Sequence, residues 1–91
     1  MSDEKILTKH PQGKSGRNIS KKTYEMFKKI FLQVLTGKEL THNELFDSFN
    51  KRLTKKFNGN INWYAETVKL DLEARGIIER TAYSPQKYRL K

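Results

Sequence analysis

The fold is decided by the stretch NINWYAETVKLDLEARGIIER, residues 60–80. At about 100° per residue four apolar side chains share one narrow stripe, which predicts an amphipathic helix. They are Ile61, Ala65, Val68 and Leu72. Asn60 or Asn62 is placed to cap the first turn of this helix. We expect the helix to run to Arg75, because Gly76 suits the left-handed position that ends many helices.

The segment after Gly76 predicts a β-hairpin. Residues 77–80 are a β-prone run, and residues 81–86 contain a Ser-Pro turn signal. Residues 87–91 then alternate basic and apolar side chains with period two. Two short strands joined by a turn therefore follow the third helix.

Upstream, residues 20–35 predict a first amphipathic helix. Ser20 is a plausible N-cap, and Gly37 is expected to stop the helix. Its apolar residues recur at helical spacing: Tyr24, Phe27, Ile30, Phe31, Val34 and Leu35.

A second helix begins at a capping box made by Thr41 and Glu44. Leu40 before it is a short strand-like residue, and the helix should end near Thr54. Its apolar stripe is Leu45, Phe46, Phe49 and Leu53. The turn signal Asn58-Gly59-Asn60 separates this helix from the third.

The N-terminal segment lacks the apolar residues that a packed element needs. Residues 9–18 contain no apolar side chain, so we expect residues 1–18 to form a flexible basic arm. A single domain over residues 19–91 accounts for the rest of the chain.

Charge indicates a polyanionic partner. The 91 residues hold 19 Lys+Arg against 10 Asp+Glu, a formal net charge of +9. The excess lies in residues 1–22, 51–56 and 80–91, each at +4, while the intervening stretches are slightly acidic. With no Cys and no long apolar run, we expect a cytoplasmic chain without a membrane span.

Three helices followed by a two-stranded hairpin resemble the winged helix-turn-helix, a mainly α fold with a small β-hairpin (α+β). Residues 67–80 are similar to the end of the recognition helix and the start of the wing in bacterial repressors of the deoxyribose-operon type. The matching positions are Thr67, Val68, Asp71, Leu72, Gly76, Ile77 and Ile78. Lys69 and Leu70 stand where those repressors often carry arginines. The whole chain, with His10-Pro-Gln-Gly-Lys14 and Asn62-Trp-Tyr64, also resembles a family of small uncharacterised bacterial winged-helix proteins.

This resemblance implies binding to double-stranded DNA, as a small transcription-associated or nucleoid-type protein. Phosphates would be held by the arm, the end of the second helix and the wing. In such folds the outward face of the third helix meets the bases. The candidate residues are Lys14, Arg17, Lys51, Arg52, Lys55, Lys56, Asn60, Asn62, Trp63, Thr67, Lys69, Arg80, Lys87 and Arg89. Lys9 and His10 in the arm and Tyr83 near the wing tip are further contacts.

The outward face of the third helix leaves three interpretations open. Its N-terminal end touches DNA through Asn60, Asn62, Trp63 and Thr67. Alternatively, Trp63, Thr67 and Leu70 form a contact surface for another protein or a second copy of this chain. In the third interpretation the arm folds back over Trp63 and makes it part of the core.

The sequence shows no pattern typical of a catalytic residue, a metal site or a cofactor site. His10 and His42 are the only histidines, and there is no Cys. No phosphate-loop or nucleophile motif is present. We therefore expect neither an enzyme nor a small-molecule substrate.

Overall fold

The computed structural model describes residues 4–14 and 16–91. Three helices and small antiparallel strands form one compact α+β fold, which confirms the predicted balance of secondary structure. The elements in chain order are β1 (Lys5–Leu7), β2 (Asn18–Ser20), α1 (Lys21–Leu35), β3 (Leu40–Thr41), α2 (His42–Leu53), α3 (Ile61–Ala74), β4 (Ile78–Arg80) and β5 (Lys87–Leu90).

Local capping chemistry sets the ends of α2 and α3. The Glu44 amide donates to Thr41 Oγ1 at 3.2 Å, and the Thr41 amide donates to Glu44 Oε1 at 2.9 Å, so the capping box is present. Asn60 caps α3, since its Oδ1 accepts from the Trp63 amide at 2.9 Å. Gly76 follows α3 with φ +75°, as its predicted role requires.

The start of α1 differs from the prediction. Ser20 occupies the cap position but makes no side-chain cap hydrogen bond. Instead, Ser20 is the last residue of β2, and the Lys21 amide donates to the Glu4 carbonyl at 2.8 Å. A hairpin before the helix therefore takes over part of the capping role.

That hairpin, β1–β2, was not expected from the sequence. Lys5 pairs with Ser20, Ile6 with Ile19 and Leu7 with Asn18 in an antiparallel register. Thr8 continues the pairing, because its amide donates to the Arg17 carbonyl at 2.9 Å. Where the sequence predicted a flexible arm, the described part of residues 1–18 thus forms paired strands and a connecting loop; residues 1–3 and 15 lie outside the described residues.

The second sheet has the strand order β3-β5-β4. Leu40 of β3 and Arg80 of β4 both pair with Tyr88 of the central strand. This sheet lies against α1 and the C-terminal half of α3, with Ile78 and Tyr88 facing the core.

The core is aromatic at its centre. The ring centroid of Phe49 lies 5.5 Å from that of Phe27 and 4.5 Å from that of Phe31, and all three side chains are fully buried. Aliphatic residues of the predicted stripes, Leu45, Ala65, Val68 and Leu72, complete the packing. Within the described residues, no helix combines the length and apolarity needed to cross a membrane.

Candidate nucleic-acid interface

A groove of about 340 Å³ runs between the β1–β2 loop and the outward face of α3. The loop supplies Thr8, Lys9, His10, Lys14, Gly16 and Arg17. The helix supplies Trp63, Glu66, Thr67 and Leu70. We call this space the α3 groove. Its loop wall is basic, and its helix wall is partly apolar.

Asp71 fastens the loop to the helix. Its side chain is 0% exposed, and Oδ1 accepts from the Lys9 amide at 2.8 Å. Oδ2 accepts from the Tyr24 hydroxyl at 2.5 Å and from Arg75 Nε at 2.8 Å. Burial, together with this bond to Asp71, raises the pKa of Tyr24 well above its usual range. One carboxylate therefore joins the loop, α1 and the end of α3.

Gly16 allows the loop to close. A Cβ placed at this position would lie 1.7 Å from the Thr8 carbonyl oxygen. On the other side of the same contact, the Arg17 amide donates to Thr8 Oγ1 at 2.8 Å. The loop therefore has a fixed path beside the helix, with the side chains of Lys14 and Arg17 on its exposed surface.

Trp63 forms the end of the groove at the first turn of α3. Its side chain is 42% exposed, so the loop covers it only in part. Its ring packs edge to face with Tyr64 at 4.8 Å, and Tyr64 packs in the same way with Phe57 at 5.2 Å. The turn that joins α2 to α3 is thereby held next to Trp63. The interpretation in which Trp63 becomes ordinary core is wrong, although the loop does fold back against α3.

Lys69 does not face the groove, and the structure removes it from the candidate interface. Its side chain is only 2% exposed, and its amine lies 3.0 Å from Glu66 Oε1 and 3.2 Å from the Tyr88 hydroxyl. The amine also lies 4.6 Å from the centroid of the Tyr88 ring. A buried, paired lysine cannot reach a phosphate. Helical periodicity placed Lys69 beside the core stripe and three residues from Glu66, but its burial against Tyr88 depends on the wing and became visible only in the structure.

The two wing arginines are engaged within the protein. Arg80 Nε donates to Glu73 at 2.7 Å, and Arg89 donates to Glu79 at 2.7 Å and to Glu39 at 2.8 Å. These bonds raise the pKa of both guanidinium groups above the usual range, and in Arg89 the bond to Glu39 contributes most. Neither arginine offers a free cation to a phosphate. Lys87 remains half-buried in the wing without an acidic partner among the described residues.

The side chain at the wing tip is also hydrogen-bonded within the protein. The hydroxyl of Tyr83 donates to Glu39, and its ring is 50% exposed. This bond is the main reason that the pKa of Glu39 lies below its usual value. The ring surface of Tyr83 is therefore the part of the tip that can meet a partner.

The remaining candidates fall into two groups around α3. Lys14 and Arg17 lie on the loop, while Lys51, Arg52, Lys55 and Lys56 are exposed at the end of α2 and just after it. Among the described residues none of these six forms a salt bridge, although Arg52 donates to the Gln33 side chain at 3.2 Å. One basic group thus lies on the loop wall of the α3 groove, and the other lies at the end of α2 and in the turn that leads into α3.

The predicted base contacts on α3 differ in availability. The side-chain oxygen of Asn60 is used in the cap, and Asn62 Oδ1 accepts from Asn50 Nδ2 at 2.8 Å. Thr67 lines the groove and is half-buried. Trp63 and Thr67 are therefore the candidates that the structure brings together in the groove. The helical wheel places Glu66 on the outward face of α3, but its position opposite the basic loop could not be predicted from the sequence.

No group of three or more His, Cys, Asp or Glu residues suited to a metal ion occurs in the described part of the chain. The expectation of no metal or cofactor remains a prediction.

The chain belongs to a family of unknown function (DUF6958), whose model matches residues 5–88. No curated protein and no solved structure matches the chain. The match includes the β1–β2 hairpin as well as the helices, so both walls of the α3 groove lie within the family's extent. The resemblance to winged-helix proteins and to deoxyribose-operon repressors stays a prediction.

Proposed function

We propose that this protein is a winged helix-turn-helix that binds double-stranded DNA. The element order supports the fold assignment: α1, a short strand, α2, α3 and then a hairpin whose second strand pairs with the short one. In this arrangement α2 and α3 form the helix-turn-helix, and β4 and β5 form the wing.

The observation that carries the DNA-binding proposal is the distribution of salt bridges. Acidic residues pair with basic side chains of the wing and of the C-terminal end of α3, among them Arg75, Arg80 and Arg89. The described lysines and arginines of the loop and of the α2 end have no such partner; the loop lines the α3 groove, and the α2 end leads into α3. Cations that lack internal partners and flank an exposed helix suit the phosphates on either side of a DNA groove.

The structure also alters the interface expected from the sequence. The cationic contacts become Lys9, Lys14 and Arg17 of the loop together with Lys51, Arg52, Lys55 and Lys56 near α2. The wing contributes the Tyr83 ring and Lys87. Between these surfaces the groove offers few groups that can read base edges, so the protein grips the backbone more than it reads sequence.

The salt dependence of duplex binding tests this function. With four to seven phosphate contacts, log affinity should fall against log salt with a slope of roughly −4 to −6. Fluorescence anisotropy with a labelled duplex of mixed sequence, measured from low to physiological salt, gives the slope directly. Absence of binding at low salt contradicts the proposal.

Matched charge variants locate the interface. Lys55→Ala with Lys56→Ala should make the slope shallower by about 2, because two counterion-releasing contacts are lost. The control pair, Lys38→Ala with Lys91→Ala, removes the same charge at exposed positions away from the groove and should leave the slope nearly unchanged. Equal effects of the two pairs would mean that net charge, rather than this surface, drives binding.

The exposure of Trp63 supports a second candidate, a contact with another protein or with a second copy of this chain. Leu70 lies two turns further along the same groove and is half-buried. Analytical ultracentrifugation distinguishes self-association: a dimer that Trp63→Ala dissociates favours this candidate, whereas a monomer at all concentrations removes the homodimer version of it.

A further inference from the structure

A carboxylate in the α3 groove conflicts with a purely phosphate-binding role. Among the described lining residues Glu66 is the acidic one, and it faces a wall that carries Lys9, Lys14 and Arg17. A carboxylate offers only hydrogen-bond acceptors, so it cannot bind a backbone phosphate, which also lacks donors at neutral pH. A group that donates hydrogen bonds is the ligand chemistry that matches it.

The carboxylate of Glu66 is held in place by the buried side chain of Lys69. The buried amine of Lys69 lies within 3.2 Å of both of its oxygens, and the same amine donates to the Tyr88 hydroxyl. The Glu66 side chain is nevertheless 40% exposed. Each carboxylate oxygen has two lone pairs, so this anchored group can still accept hydrogen bonds from the groove side.

Trp63 lies one turn before Glu66 on the same helix. Residues three apart on a helix are neighbours on its surface, so the ring and the carboxylate stand side by side in one groove. Exposed aromatic side chains are the platforms on which unpaired bases stack. A base stacked on Trp63 would therefore lie next to the Glu66 carboxylate.

We propose that the α3 groove binds one unpaired guanine, an inference that rests on the nucleic-acid-binding function proposed above. The guanine ring stacks on Trp63, and its N1–H and N2–H groups donate to the two oxygens of Glu66. The flanking phosphates lie against Lys14 and Arg17. The groove volume of about 340 Å³ is at the small end of ligand pockets, which suits a single nucleotide.

The chemistry of the four bases explains the choice of guanine. Guanine presents two adjacent N–H donors on its Watson–Crick edge, which match the two oxygens of a carboxylate. Adenine and cytosine place a ring nitrogen acceptor beside their amino group, and thymine flanks its single N–H with carbonyls. A carboxylate repels each of these acceptors, so the fixed charge of Glu66 discriminates as well as attracts.

Intrinsic fluorescence reports on this site alone, because Trp63 is the single tryptophan. The probes are single-stranded oligothymidylates of about seven nucleotides with guanine, adenine, cytosine, thymine or hypoxanthine at the centre. We expect the guanine probe to quench Trp63 with roughly tenfold higher affinity than the other natural bases. Hypoxanthine lacks the N2 amine and should lose most of that advantage. A duplex with one bulged guanine, compared with a fully paired duplex, shows whether an extruded base is taken as well as a single strand.

Variants separate the two parts of the contact. Glu66→Gln should bring the affinities of all bases to within about twofold while quenching persists, since stacking remains and an amide no longer matches two donors. Glu25→Gln, which removes the same charge on the exposed side of α1, should leave the guanine preference intact. Thermal unfolding of each variant checks that the fold is retained; Gln can still accept from Lys69.

Equal quenching by all bases, or an unchanged guanine preference in Glu66→Gln, overturns the inference. So does quenching by an acidic peptide with an apolar anchor when the oligonucleotides have no effect. If the paired duplex binds with the expected salt slope but Trp63 is not quenched by any unpaired guanine, this inference fails and the proposed function stands. If no nucleic acid binds at low salt, both fail.

Discussion

Substitution of Asp71 by Asn should weaken the whole fold and release the β1–β2 loop. The carboxylate is completely buried and accepts from the Lys9 amide, the Tyr24 hydroxyl and Arg75 Nε. An amide of the same shape keeps one acceptor oxygen but turns an N–H₂ group toward donors on the other side. At least one buried donor is then left without a partner, and the others lose a charged acceptor.

The size of the effect follows from these three bonds. A hydrogen bond to a charged group contributes roughly 1.5–3 kcal/mol, and an unsatisfied buried donor costs about 1–3 kcal/mol. Arg75 is partly exposed and can be hydrated, so its share is small. We expect Asp71→Asn to reduce the free energy of unfolding by about 3 kcal/mol. For a domain of this size the Tm should fall by roughly 12–24 °C.

Urea unfolding followed by circular dichroism measures the loss, and Trp63 emission reports the loop separately. Because the Lys9 amide loses a charged acceptor, we expect the loop to move away from α3 and Trp63 emission to shift to the red. Asp47→Asn is the matched control, since Asp47 is exposed on α2 and should change stability by less than about 0.5 kcal/mol.

A loss below about 1 kcal/mol in Asp71→Asn would refute the reasoning, because it would mean that the three donors find other partners. A double-mutant cycle with Tyr24→Phe then isolates one bond. The two changes should be non-additive, because the Tyr24 hydroxyl no longer has a charged acceptor once the carboxylate is replaced.

Thr41→Ala removes the cap hydroxyl that accepts from Glu44 and should lower stability in urea by about 1 kcal/mol, whereas a change near zero would mean that water replaces the cap. Gly16→Ala should separate the loop from Thr8, seen as faster tryptic cleavage after Arg17, because the new Cβ would overlap the Thr8 carbonyl; an unchanged digestion rate contradicts this. The raised pKa of Tyr24 means that its contribution to stability is complete below the unfolded value of about 10 and is lost as pH rises above it; Tyr24→Phe should make the decline of the urea midpoint between pH 9 and pH 11 shallower, and parallel curves would refute the assignment.

The helices could be predicted from the sequence because their signals are local. The capping box at Thr41, the cap at Asn60 and the stop at Gly76 each depend on residues within a few positions, and all three occur in the structure. The apolar stripes of α1, α2 and α3 also face the core as periodicity required.

The β1–β2 hairpin could not be predicted in the same way. Each strand has three residues, too few to show a period, and Ile6 and Ile19 are its main contacts with the core. The loop is attached through backbone amides and a carboxylate 62 residues away, rather than through apolar side chains. Polar attachment of this kind leaves no hydrophobic pattern in the sequence.

The candidate site shows the same division between local and distant information. Counting charges identified the loop and the end of α2 as basic segments. Their lysines and arginines have no acidic partner among the described residues. Counting could not reveal that Arg89 joins Glu39 across 50 residues or that Lys69 is buried beneath Glu66. The formal charge therefore overestimated the number of unpaired cations that the wing and α3 carry.

Under the proposed function, these internal pairs determine where a polyanion would bind, because they leave the surface charge uneven. Acidic residues pair with Arg80 and Arg89 of the wing and with Arg75 at the end of α3, while the lysines and arginines of the loop and of the α2 end have no acidic partner among the described residues. The cations of the loop and of the α2 end would attract phosphates, whereas the Glu66 carboxylate offers a phosphate no hydrogen-bond donor. A nucleic acid that satisfies both conditions places its backbone at the rim and a hydrogen-bond donor at the centre. The unpaired guanine proposed for the α3 groove would meet this requirement, with its donor edge at Glu66 and its phosphates near Lys14 and Arg17.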